Sequence, residues 1–78
     1  MSDQEIQQAV CELLGVAFEQ GRPVDPSFCR EVHPGWDSLK HVEVLFALED
    51  RFHVRFSEAD MPLLVSVGKI TERVRQLL

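Results

Sequence analysis

Seventy-eight residues hold one small domain, and 45% hydrophobic with 27% charged residues is a globular composition rather than a disordered one. Eight Lys and Arg against 13 Asp and Glu leave a net charge of −5, so the basic footprint that phosphate backbones require is missing and nucleic acid is excluded as a partner. No membrane span is expected, because the longest apolar run, Val44 to Leu48, falls far short of the ~20 residues one needs. The acidic first 20 residues lack the basic start of a signal peptide. Cys11 and Cys29 are too few for a disulfide framework, which predicts reduced thiols in a cytoplasmic protein. So small a chain has little room for a deep catalytic cleft and reads as something other proteins act upon.

In chain order the elements are helical. Ser2-Asp3-Gln4-Glu5 has the form of a capping box. After it Ile6, Ala9, Val10, Leu13, Leu14 and Ala17 recur at helical spacing and give one apolar stripe. Gly21, Pro23 and Pro26 break this helix and open a long loop through Gly35. Phe28 and Val32 are the loop's expected anchors in the core, since a loop this long otherwise costs too much ordering entropy. A second helix runs from about Ser38 to Phe52, and Val54-Arg55-Phe56 is too short and isolated for a sheet strand. Ser57-Glu58-Ala59-Asp60 is a second start of capping-box type, for a short helix with Pro62 in its first turn. Ser66 opens a last helix through Val67, Ile70, Val74 and Leu77, with Arg73 and Arg75 near the end where cations favour the dipole. The expected fold is all-α: a small four-helix bundle, three longer helices and one short, with a long first loop, as a single domain over residues 1–78.

The second helix has two apolar faces. At ~100° per residue, Val44, Leu45, Leu48 and Phe52 fall on one side as the core face. Leu39, Val42 and Phe46 fall nearly opposite, flanked by Glu43 and Asp50. An apolar stripe with an acidic rim suits docking to partners that carry a basic patch. Scattered exposed hydrophobes are the plain alternative.

Pro34-Gly35-Trp36-Asp37-Ser38-Leu39 leads into this helix. Asp and Ser there act most simply as caps. A serine hydroxyl at the positive end of the dipole has a second use, because free backbone N–H groups stabilise a phosphodiester attached to it. Ser38 lacks the glycine-flanked elbow of hydrolases, and His41 lies on the same helix in poor geometry for a base. His33, His41, His53 and the two cysteines show no metal-ligand spacing, so no metal site is expected. Cys11 sits off the main stripe of the first helix and reads as a packing residue.

Gly35-Trp36-Asp37-Ser38-Leu39, the run Val42-Glu43-Val44-Leu45-Phe46-Ala47-Leu48-Glu49-Asp50-Arg51-Phe52 and the later Val67-Gly68-Lys69-Ile70 resemble the acyl and peptidyl carrier proteins over nearly the whole chain. The resemblance implies that Ser38 receives phosphopantetheine from coenzyme A through a dedicated transferase, and that the arm's thiol holds cargo as a thioester. It implies that Asp37 helps to position the metal and coenzyme A during that transfer. By the same resemblance Glu43, Glu49 and Asp50 are acidic recognition positions and Leu39 and Phe46 apolar ones, with Val42 and Lys40 beside them. The partners so implied are the phosphopantetheinyl transferase and acyl-activating ligases, synthases or acyltransferases, met by a monomeric carrier that is not itself an enzyme. The alternatives are an adaptor of this fold that is never modified, or a peptidyl or aminoacyl carrier rather than an acyl carrier.

Several positions depart from the fatty-acid-synthesis pattern. Lys40 and His41 follow Asp-Ser-Leu where acidic or small polar residues are usual, Trp36 stands in place of a small residue, and the first helix is the more acidic. These departures suggest a specialised carrier for polyketide, peptide or modified-lipid synthesis. They also suggest that Trp36 offers the arm a rigid apolar surface to rest on and that His41 contacts the arm or cargo; the plain alternative is that Trp36 covers the loop junction and His41 is a solvated or core-edge residue. The start at Met1 without flanking linkers predicts a free-standing carrier.

Overall fold

The computed structural model describes residues 1–78 as three α-helices: α1 (Asp3–Ala17), α2 (Ser38–Phe52) and α3 (Val67–Leu77). The short fourth helix expected near Pro62 is a single 3₁₀ turn, Met61–Leu63, and another such turn, Arg30–Val32, lies in the long loop. Pro62 contributes no N–H, and the segment has few residues to fill between buried Phe56 and buried Leu64. Each α-helix opens on the residue its side chain chemistry favours. The Ser2 hydroxyl accepts the Glu5 N–H at 3.2 Å while Glu5 accepts the Ser2 N–H at 3.0 Å. Asp37 and Ser66 cap α2 and α3 through the N–H groups of Lys40 and Lys69.

α1 packs against both α2 and α3. Ile6, Val10 and Leu14 meet Val44, Leu45, Leu48 and Phe52 of α2 and Val67, Ile70 and Val74 of α3 in one core. Cys11 is part of that core, and burial, ahead of nearby Asp25 and Glu12, pushes its thiol up from its ordinary value.

The long loop is held by different residues from those expected. Phe28 packs against the core, but Val32 is 68% exposed, because it closes the Arg30–Val32 turn on the outer side. Val24 and Trp36 take the anchoring role, both buried. Backbone pairing adds to this: Arg30 N–H donates to Val65 at 2.9 Å and Val67 N–H to Phe28 at 3.1 Å, around a bridge between Cys29 and Ser66. The loop is thereby stitched to the segment that enters α3.

Gly15 marks where the loop crosses α1. A Cβ there would meet the Arg22 carbonyl oxygen at 2.1 Å and the Pro23 Cα at 3.0 Å, both backbone atoms. Gly15→Ala should therefore destabilise the protein by about 1–3 kcal/mol, although alanine is the better helix former. Urea unfolding checks this. The Ser2 backbone N–H holds the Glu5 carboxyl below its ordinary value, and the Ser57 N–H does the same for Asp60. A carboxyl lowered on folding stabilises the native state above its unfolded pKa and loses that contribution as pH falls through the lower folded value. Stability should thus decline as pH drops below about 4, and Glu5→Gln should show a shallower decline in urea midpoints.

Candidate functional site

The site is built on the N-terminus of α2. Asp37 is its N-cap: Oδ1 accepts the Lys40 N–H at 2.8 Å and the main-chain carbonyl accepts the His41 N–H at 2.9 Å. The Ser38 and Leu39 N–H groups stand ahead of the helical ladder and have no partner within the protein. Ser38 is exposed, and its hydroxyl makes no hydrogen bond. The cap is therefore the aspartate alone.

Directly before this open end the chain is buried. Trp36 is 2% exposed, and its ring lies 5.3 Å from Phe18 and 5.9 Å from Phe28. His33 packs on Phe18 at 4.8 Å, and its Nδ1 accepts the Gly35 N–H at 3.1 Å. Aromatic packing of this kind adds stabilisation beyond area burial. The expectation that Trp36 and His41 lie open beside Ser38 is corrected. The indole N–H donates to His41 Nδ1 at 3.0 Å, His41 is itself buried, and its Nε2 lies 2.6 Å from the Met61 carbonyl oxygen. Neither ring has a free face for an arm, because both fill the space under the loop junction.

Two of the expected partner-facing residues are also turned inward. Lys40 is half-buried on the α1 side of α2: its Nζ donates to the Ala17 carbonyl at 3.1 Å, pairs with Glu43 at 3.2 Å and lies 5.9 Å above the Phe18 ring. It supplies the C-terminal cation that α1 lacks in its own last turn. Glu49 is half-buried, and its Oε2 accepts the Phe56 N–H at 2.8 Å, tying down the chain after α2.

The rest of the set stays together on the surface. Leu39, Val42 and Phe46 are 70%, 43% and 61% exposed, with Glu43 and Asp50 exposed at their rim. Leu63 of the 3₁₀ turn is 57% exposed and went unnoticed in sequence, where nothing separates it from its neighbour Leu64, which is buried. No group of three or more His, Cys, Asp or Glu is arranged to hold a metal ion.

No family model matches the chain. It is 34% identical over 68 residues to the acyl carrier protein of Cyanidium caldarium, covering 87% of this chain and 76% of that protein. It is 30% identical over 71 residues to the acyl carrier protein of Helicobacter pylori (strain J99), covering 91% of this chain and 87% of that one. A three-helix domain with a serine open at the start of its second helix is thus paired with relatives of one kind over nearly its full length. The chain belongs to the acyl carrier protein family.

Because Asp37 is the cap and the Ser38 hydroxyl has no partner, the two positions should separate in stability. Asp37→Ala should cost about 1 kcal/mol, and Ser38→Ala should stay within about 0.5 kcal/mol of wild type, both read from urea unfolding.

Proposed function

We propose that this protein carries acyl groups as thioesters on a phosphopantetheine arm attached to Ser38. The observation that carries the reading is the Ser38 hydroxyl, exposed and unpartnered at the first residue of α2 in a chain of the acyl carrier protein family. The surroundings fit the group. A phosphodiester on Ser38 Oγ is anionic and meets the free N–H groups of Ser38 and Leu39 at the positive end of the helix dipole. Asp37 uses Oδ1 for the cap, and its other carboxylate oxygen makes no hydrogen bond, leaving it available to the metal and coenzyme A of the transferase.

In loading, Ser38 Oγ forms the new bond to phosphorus as the pyrophosphate bond of coenzyme A breaks and adenosine 3′,5′-bisphosphate leaves, and the hydroxyl proton passes to a base of the transferase. The arm supplies a terminal thiol, whose thioester is activated for acyl transfer and held at high effective concentration near partner sites. The chain's own residues do no more than present the serine. His41, the nearest histidine in sequence, has both ring nitrogens engaged inside the protein and makes no hydrogen bond to the hydroxyl. This supports a carrier rather than an enzyme.

Leu39, Val42 and Phe46 offer the apolar contact for the transferase and for ligases, synthases or acyltransferases, and Glu43 and Asp50 steer basic partners to it. No helix is long and apolar enough to cross a membrane, and we place the carrier in the cytoplasm as a monomer. The reading of a specialised lipid, polyketide or peptide pathway, the last with aminoacyl cargo, rests on the departures of Trp36, Lys40 and His41 from the fatty-acid-synthesis pattern. Trp36 and His41 are buried and Lys40 is half-buried, so that difference lies in the framework of this chain.

Incubation with a phosphopantetheinyl transferase and coenzyme A should add the mass of one arm to the wild-type protein and none to Ser38→Ala. A wild-type protein that gains no mass would make the chain an unmodified adaptor. Phe46→Ala should raise the dissociation rate from the transferase roughly tenfold. Reversing Glu43 and Asp50 should instead slow association and flatten its salt dependence, read by stopped flow.

A further inference from the structure

Both residues that precede Ser38 are held by His41, one turn further on. The His41 N–H donates to the Asp37 carbonyl at 2.9 Å, and its side-chain Nδ1 accepts the Trp36 indole N–H at 3.0 Å. Ser38 has no such hold of its own, since its hydroxyl and its N–H are both free. The position of its oxygen therefore follows from where Trp36 and Asp37 are fixed. Stacking on Phe18 and Phe28 leaves the Trp36 ring able to slide. The indole hydrogen bond is the directional contact that stops it.

The acceptor is itself locked. An indole N–H only donates and a carbonyl oxygen only accepts, so the imidazole is bare at Nδ1 and protonated at Nε2. Nε2 donates to the Met61 carbonyl at 2.6 Å. Asp60, the residue before Met61, is paired with Arg73 of α3 at 3.1 Å, which fastens that end. His41 is the one polar side chain buried in the core, and turning its ring would leave buried polar groups unpaired.

We infer, on the carrier reading of Ser38, that His41 is a positioning residue for the Ser38 hydroxyl: through Trp36 it sets how the chain enters α2 and so where Oγ stands for the transferase. An oxygen that must meet phosphorus loses rate when it is held loosely. Val42 and Phe46 lie beyond the first turn of α2, so loss of His41 should slow the chemical step and spare binding.

Loading of the whole protein by a phosphopantetheinyl transferase with coenzyme A tests this. His41→Leu should lower kcat by roughly three- to tenfold, the effect of one hydrogen bond, with the KM for the carrier within about twofold. Trp36→Phe keeps an aromatic ring and removes the donor, and should act alike. The double variant should lose no more than either single one, because both remove the same bond. His41→Asn, whose amide oxygen can replace Nδ1 as acceptor, should recover most of the loss. An unchanged kcat, a loss carried by KM, additive losses or no recovery in His41→Asn each overturn the proposal. Trp36→Phe and His41→Asn decide it where His41→Leu does not fold.

Nitrogen-15 NMR of the unmodified protein gives a readout that needs no transferase. Wild-type His41 should be protonated at Nε2 and bare at Nδ1. The Ser38 and Leu39 amides should gain mobility in His41→Leu but not in His41→Asn, with α3 unchanged. The reverse tautomer, or Ser38 equally ordered in His41→Leu, overturns the proposal. A wild-type protein that is never loaded removes the carrier reading, and the NMR then still decides whether His41 holds Ser38 in place.

Discussion

The structure depends on one abrupt change in exposure: Trp36 is buried and Ser38, two residues later, is open to solvent. A long loop has to reach the start of α2 without leaving its ordering entropy uncompensated. The indole meets this requirement by settling on Phe18 and Phe28 and by donating its N–H inside the core. Once the ring is seated, the chain has nowhere to go but outward, and Asp37 turns it into the helix. The serine emerges where the helix dipole is positive and the first N–H groups are free.

Around this point the polar side chains divide into two kinds. Lys40 and Glu49 are committed to main-chain groups, the carbonyl of Ala17 at the end of α1 and the N–H of Phe56 in the segment after α2, and they brace the bundle. Glu43 and Asp50 remain at the surface. The field that a partner meets on α2 is therefore set by fewer acids than the sequence holds there. The Lys40 cation is offset by Glu43 and drawn to the C-terminus of α1, where a carbonyl and the dipole both stabilise it. A lysine next to the serine thus strengthens the α1–α2 junction and faces away from the open face of α2.

Burial also changes what the departures from the fatty-acid-synthesis pattern mean. Trp36 and His41 stand close to Ser38 in sequence, which suggested contact with an arm. They are partners of each other. A histidine in a core this small is tolerated because both ring nitrogens are satisfied, and an unsatisfied one would carry a desolvation cost.

The local pattern of the sequence determined the three helices, their caps at Ser2, Asp37 and Ser66, the core face of α2 and the open serine. Each follows from interactions within a few residues: side chain to nearby N–H, apolar spacing at the helical period, proline and glycine as breaks. The loop anchors were legible only in part, with Phe28 found and Val32 misplaced, because a loop has no period that assigns its side chains to a face. The pairing of Trp36 with His41 and of His41 with Met61, the turn of Lys40 toward Ala17, and the exposure of Leu63 beside buried Leu64 were decided by the tertiary structure. These contacts join residues from separate segments, and only the packed geometry of the segments sets which polar atoms meet.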